Sequence, residues 1–321
     1  MITNRRDVYE MIKYCFGADV GGTTVKLGLF NAEGQILDKW EIPTRTENEG
    51  SAILPDIAGA IQGKIAEYRL ELSEIAGIGV GIPGPVNSEG TVPHTANLGW
   101  GYKEVSRELS ELTGLPCKTG NDANVAALGE MWLGGAKGHK DVLMLTLGTG
   151  VGGGIIVDGK ILTGAHGAGG EIGHIHMNDD AKDCCGCGNK GCLEQYGSAT
   201  GIVKICKEIL EESQEPSVLR ESEVTAKAVF DALKAGDALA ERTIEGFAKY
   251  LGTACAIMTT ILDPEVIVVG GGVSKAGEVV LDYVRKYYKC YAFKSTRETE
   301  FVLATLGNDA GICGCAKLIL G

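Results

Sequence analysis

No run of apolar residues in this 321-residue chain approaches the roughly 18 that would suggest a membrane-spanning helix. The start of the chain lacks an apolar stretch as well: residues 1–14 carry charge throughout (Arg5, Arg6, Asp7, Glu10, Lys13), so no signal peptide is expected. Positive charge is scarce. Lys and Arg number 30 against 42 Asp and Glu, a formal net charge of −12. Neutralising nucleic-acid phosphates takes an excess of Lys and Arg, and docking on anionic lipid takes the same. A cytoplasmic protein is therefore expected, with neither nucleic acid nor membrane among its partners. Its 44% hydrophobic and 22% charged residues fall in the range of soluble globular proteins, and its length suggests two domains.

Glycine and cysteine are the residues in excess. The 48 glycines include short clusters, Gly21-Gly22, Gly152-Gly153-Gly154 and Gly270-Gly271-Gly272. Clusters of this kind read as tight turns between ordered elements, and as backbone-lined loops able to hold phosphate. Eleven cysteines would suggest a disulfide framework only in a short secreted chain. Four of them, Cys184, Cys185, Cys187 and Cys192, crowd into nine residues. The other seven, as at Cys206, Cys255 and Cys313, are scattered through apolar segments and are expected to be small buried thiols.

Residues 15–30 read as strand, glycine turn and strand; a hairpin turn at 31–34 and a third strand at 35–43 follow. Ile53, Ile57, Ile61 and Ile65 show helical spacing, and residues 75–84 read as a buried strand running into a proline-glycine loop. Asn121 and Asp122 stand where a loop opens a helix, with an acidic or amide cap. The opening pattern then recurs: residues 142–162 are again strand, glycine turn, strand, tight turn, strand, and 28–37 matches 154–162 with a turn one residue shorter. Repetition of a whole supersecondary unit implies two similar domains, each with a glycine hairpin, facing each other across a cleft. Residues 200–260 read as mostly helical, 264–272 as a late buried strand with a glycine turn, and 309–320 as a closing helix.

In the first hairpin a carboxylate, Asp19, stands at a strand end beside Gly21, Gly22, Thr23 and Thr24. Glycines let backbone N–H groups approach phosphate oxygens, hydroxyls add donors, and a carboxylate holds Mg²⁺ directly or through water. Neither the Walker A spacing nor the dinucleotide fingerprint is present. The second hairpin repeats the chemistry at Gly148, Thr149, Gly150 and Gly152, and Gly271 with Gly272 offers flat backbone for an adenine or ribose. Two such facing hairpins suit a nucleotide triphosphate in a cleft.

The stretches DVGGTTVKLGLF, GVGIPGPV, NLGW, GNDANVAALGE, LGTGVGGGIIVDGKIL, GAGGEIGHI, CGCGNKGCLEQYGS and VIVVGGGVS together resemble the ROK family (repressors, open reading frames and kinases), and within it the bacterial glucokinases. The resemblance runs from about residue 16 to the end of the chain. It implies an α/β fold of duplicated, actin-like ATPase (ribonuclease H-like) domains. Residues 1–118, with a helix at about 306–321 packing back, are expected to form the first domain, and 119–305 a second that carries a zinc loop. It also implies transfer of the γ-phosphoryl group of ATP to the 6-hydroxyl of a hexose, expected to be glucose. Fructose, N-acetylglucosamine, N-acetylmannosamine and allose are the alternatives. Homodimers or homotetramers are usual in such proteins.

Residue by residue, the resemblance places structural Zn²⁺ on His174, Cys185, Cys187 and Cys192, a closed four-ligand set without an open position for chemistry. Cys184 is a rival for Cys185, and His176 for His174. Sugar hydroxyls are expected to meet Asn97, Asn121, Asp122, Glu171, His174 and Glu194, with Gly84 and Pro85 shaping the pocket wall. Each hydroxyl both donates and accepts, so polyol recognition calls for such a density of carboxylates and amides. Asp122 is expected to act as the general base, with simple helix capping as its plainer alternative. A sugar-responsive transcription regulator is the rival function. Only about 15 residues precede the first hairpin, too few for a helix-turn-helix module, so a kinase is expected.

Overall fold

The computed structural model describes residues 12–321 apart from Ser88, Ala96 and Ser222. Runs rich in Val, Leu, Ile and Phe between glycine turns fold as β1 (Tyr14–Val20), β2 (Thr24–Asn31) and β3 (Ile36–Pro43), an antiparallel meander. The second turn is closed by Gly34, whose φ of 91° suits a residue without Cβ and whose N–H donates to Asn31 O at 3.1 Å. After helix α1 (Ile53–Tyr68) the chain returns as β4 (Ile75–Ile82), parallel to β1. Helix α2 (Val105–Thr113) then leads to β5 (Cys117–Asn121), parallel to β4. The sheet order is β3-β2-β1-β4-β5.

Helix α3 (Asp122–Leu133) precedes a second copy of this plan: β6 (Val142–Leu147), β7 (Val151–Val157) and β8 (Lys160–Ile161) form a hairpin meander. Helices α4 (Ala199–Glu212), α5 (Ala226–Lys234) and α6 (Ala238–Leu262) follow before β9 (Val266–Gly270). Helix α7 (Glu278–Tyr291), β10 (Glu300–Leu303) and helix α8 (Ala310–Leu320) complete the chain. The order is β10-β9-β6-β7-β8, with β9 parallel to both β6 and β10. In both sheets the first strand lies in the middle, its hairpin partners on one side and two parallel strands on the other. That is the duplication the repeated sequence implies.

Two compact units result. One runs through Gly138 and takes back Lys160–Gly170 and Asn308–Gly321; the other comprises His139–Gly159 and Glu171–Gly307. The expected boundary at 118/119 is therefore misplaced by a whole helix: residues 119–138 lie with the first unit. The reason is packing that no local pattern reveals. Helices α3 and α8 approach so closely that a Cβ on Gly129 would overlap Ala310 O, and one on Gly314 would overlap Val125 O. On its other side α8 meets glycines in the strands, Gly17 of β1 against Ile312 O and Gly79 of β4 against Cys315 O. Much of the glycine excess thus serves close packing rather than turns.

The first unit's core joins Phe16, Leu27 and Leu29 of the sheet to Ile53, Ile57 and Ile61 of α1. The second joins Leu143, Leu145, Ile267 and Val269 to Phe247, Leu251, Val284 and Tyr288. Burying one such side chain contributes about 1.5–3 kcal/mol, so either cluster outweighs any single surface ion pair, worth about 0–1 kcal/mol. Cys15, Cys206, Cys255, Cys313 and Cys315 are buried as expected, but Cys117 is half-buried and Cys290 exposed. The exceptions lie on the edge strand β5 and on the solvent face of α7, where Cys290 Sγ donates to Lys286 O. Among the described residues no helix is long and apolar enough to cross a membrane.

Candidate functional site

The turn after β1 is braced from the end of β3. Gly21 N–H donates to Thr24 O at 3.0 Å, while Thr44 bonds the same turn twice, N–H to Thr23 O at 2.9 Å and Oγ1 to Gly21 O at 2.7 Å. Gly22 and Thr23 are left exposed at the tip, and Gly22 faces Asn97 across van der Waals distance. Asp19 pairs across the ladder with Lys26. Burial raises the Asp19 pKa, and the Lys26 ammonium opposes that rise.

Helix α3 opens with Asn121 as its cap: Asn121 Oδ1 accepts from Asn124 N at 3.0 Å, and its Nδ2 donates to Gly84 O at 3.0 Å. Gly84 holds φ at 111°, beside His94 O and Thr95. Asp122 is thus the first helical residue and not the cap, and its Oδ1 accepts from Ala123 N at 2.8 Å. Asn124, 3% exposed, donates Nδ2 to Gly169 O at 3.1 Å, so α3 also pins the loop that leads to Glu171.

The second hairpin turn is tighter, Gly148 N–H donating to Gly150 O at 3.0 Å. Gly271, with φ of 84°, lies so close to β6 that a Cβ would stand 2.6 Å from Leu147 N. Glycine there lets the turn after β9 sit beside the start of the hairpin loop. Next to Gly272 a cavity of about 400 Å³ opens, lined by Val273, Phe230, Ala199 and the stems of Lys227, Lys234 and Lys275. Two of those lysines are engaged, Lys227 with Asp231 and Lys234 with Ala276 O.

A ring nitrogen of His174 and the sulfurs of Cys185, Cys187 and Cys192 all lie within 4.8 Å of one another. Cys187 and Cys192 Sγ are 3.6 Å apart, and Cys185 Sγ is 3.7 Å from His174 Nδ1. Cys185 N–H donates to Asn189 O, and Gly188, at φ of 89°, turns its N–H back to Cys185 O. Burial pushes the Cys192 thiol up to about 12 and the Cys185 thiol upward, whereas a backbone hydrogen bond at Asn189 draws Cys187 down. Cys184 and His176 stand outside the cluster. Cys184 pairs by its backbone with Lys190, and both ring nitrogens of His176 are engaged, by Lys190 O and Asp179, at 2.9 Å each. The other face of His174 presents Nε2 to Glu171 at 3.8 Å. Glu194 lies 3.5 Å from Cys185 Sγ with one oxygen and accepts from Val151 N at 3.1 Å with the other.

The model of the ROK family matches residues 15–321. The chain belongs to the ROK family. A glucokinase of Halalkalibacterium halodurans is 43% identical over 313 residues, 96% of this chain and 95% of that protein. A solved ROK family glucokinase of Streptomyces griseus, in complex with glucose and AMPPNP, is 33% identical over 95% of this chain and 98% of its own, with a TM-score of 0.73. The ROK hexokinase of Thermus thermophilus is 33% identical over 94% and 96%, with a TM-score of 0.78.

In this ROK chain the structure gathers Gly84, Asn121 and Asp122 in one unit, and Glu171, His174, Glu194 and the glycine hairpin in the other. Two positions escaped the sequence reading. Thr95 Oγ1 and Asn124 Oδ1 are buried without a partner among the described residues. The second Asn of GNDAN was a visible signal for one; nothing marked Thr95. Gly150, expected to approach phosphate, also lies against Glu194. A Cβ on it would stand 2.9 Å from Glu194 Cδ. Gly150→Ala is therefore expected to displace Glu194 and raise the KM for sugar more than the KM for ATP. Steady-state titration of each substrate checks this, and a change confined to ATP would contradict it.

Proposed function

We propose that this chain transfers the γ-phosphoryl group of ATP to the 6-hydroxyl of glucose. The observation that supports it most directly is likeness over 95% of the chain to a ROK family glucokinase that binds glucose and AMPPNP, the latter standing in for ATP. Phosphoryl transfer asks little covalent work of a protein; it asks for positioning, charge neutralisation and an acceptor for the hydroxyl proton. Asp122 takes that proton. Asn121 fixes the start of α3 beneath it through its bonds to Asn124 N and Gly84 O. Asn97, Asn121, Glu171, His174 and Glu194 bind the sugar hydroxyls.

The braced glycine hairpins hold the phosphates, and adenine lies in the cavity beside Gly272, where Phe230 supplies an apolar wall. Mg²⁺, when bound with ATP, would neutralise phosphate charge, and Asp19 is the carboxylate that would hold it, directly or through water. The four His and Cys ligand atoms fit zinc: tetrahedral sulfurs at a Zn–S distance of about 2.3 Å lie about 3.8 Å apart, close to the 3.6 Å of Cys187 and Cys192. Zinc in this set has no open position and is structural. Were Nδ1, which faces Cys185 Sγ, to hold the metal, His174 would carry its proton on Nε2, the nitrogen on the side of Glu171.

The test is ADP release with ATP and Mg²⁺ across glucose, fructose, N-acetylglucosamine, N-acetylmannosamine and allose. Glucose should give the highest kcat/KM. A higher value for any other sugar would reassign the substrate, and release independent of sugar would overturn the kinase reading.

A further inference from the structure

We propose that Gly311, at the start of the C-terminal helix, is a positioning residue for Asp19. The proposal rests on the kinase reading, in which Asp19 serves the metal-bound nucleotide. Helix α8 ends a chain whose first strand carries Asp19, yet the two meet. A Cβ built on Gly311 would stand 2.5 Å from Asp19 Cγ and 3.1 Å from its Cβ, closer than non-bonded carbons come. The Asp19 side chain therefore occupies the space a larger residue at 311 would fill. Its second oxygen faces Gly81 of β4, where a Cβ would lie 3.5 Å from Oδ1 and 3.2 Å from Cys315 Sγ. Cys315, one turn further along α8, donates Sγ–H to Ala18 O at 3.3 Å and fixes the backbone beside Asp19.

The carboxylate is thus walled by α8, β4 and a thiol, and it sits against the first turn of an eleven-residue helix, whose N-terminal dipole favours negative charge. Helix α8 is itself locked. Gly17 and Gly79 receive it on the sheet, and Gly129 and Gly314 press it to α3, the helix that begins with Asp122. One rigid helix sets the positions of both carboxylates within the first unit.

Gly311 has no positive φ, so helix propensity alone would favour alanine there. That separates positioning from mere structure. Gly311→Ala is compared with Gly59→Ala, which adds the same methyl group to α1 where nothing lies within 4 Å. Gly59→Ala should keep wild-type kinetics. Gly311→Ala should lower turnover about 100-fold, the scale for a misplacement of about 1 Å, and raise the Mg²⁺ concentration giving half-maximal rate, with the KM for glucose nearly unchanged.

Thermal unfolding supplies a readout independent of activity. In an Asp19→Gly background the clash is relieved, because the carboxyl group and its Cβ are both gone, so Gly311→Ala should shift Tm upward relative to its effect beside Asp19. If Gly311→Ala does not fold alone, the same cycle decides, because Asp19→Gly should restore folding. Wild-type turnover in Gly311→Ala, additive Tm changes, or a double variant that still fails to fold would each overturn the proposal. A wild-type chain without sugar-dependent ADP release on any of the five hexoses would bring down the kinase reading, and this inference with it.

Discussion

Asp122→Asn should lower turnover by about 10²–10⁴-fold, the usual contribution of a general base, with thermal stability nearly unchanged. The structure sharpens this expectation, because the N-cap of α3 is Asn121, and the bond Asp122 accepts from Ala123 N in the first turn is one an Asn oxygen can also accept. An Asn at 122 keeps the shape and an oxygen to accept from Ala123 N, as Asp122 Oδ1 does. What it loses is the capacity to take a proton. A side chain needed only for the helix would tolerate the change; a base would not. Turnover at saturating ATP and glucose, measured beside Tm, separates the two. A folded variant with near-normal turnover would remove Asp122 from the chemistry.

Cys187→Ser should abolish stoichiometric zinc and, with it, most sugar affinity. Structural zinc binding is worth about 10–16 kcal/mol in zinc-finger peptides, so loss of one ligand is a large effect where the metal organises a loop. Cys187 is exposed, so its sulfur has little packing to lose. The damage travels through the cluster instead. His174 would no longer be held by Nδ1, and Glu194, 3.5 Å from Cys185 Sγ, would lose its neighbour's anchorage. Metal analysis should fall from about one zinc per chain to nearly none, with a raised KM for glucose and a smaller change for ATP. Full activity in a zinc-free protein would contradict the structural role.

The duplicated sheet was legible because its signal is local. Residues 28–37 and 154–162 repeat the same hairpin, and hydrophobic runs beside glycine turns specify both meanders. The convergence of His174, Cys185, Cys187 and Cys192 was legible for the same reason, three of the four lying within eight residues at 185–192. Cys184 and His176 could not be settled from spacing, since what keeps them out is the folded loop: Cys184 pairs by its backbone with Lys190, and both ring nitrogens of His176 are engaged. Strands β5 and β10 escaped notice: Cys117–Asn121 has no apolar alternation, and Glu300–Leu303 is four residues long. The domain boundary was missed because α3 is held by Gly129 against Gly314, a contact between distant parts of the chain. Gly311 against Asp19 was invisible on the same ground. A glycine that makes room for a distant side chain looks, in sequence, like any other glycine.

The most direct measurement is the product itself. With ATP, Mg²⁺ and glucose, the chain should form one glucose 6-phosphate for each ATP consumed, read by an enzyme that oxidises only that sugar phosphate. ADP formed without sugar phosphate, or phosphate found on another hydroxyl, would contradict the account.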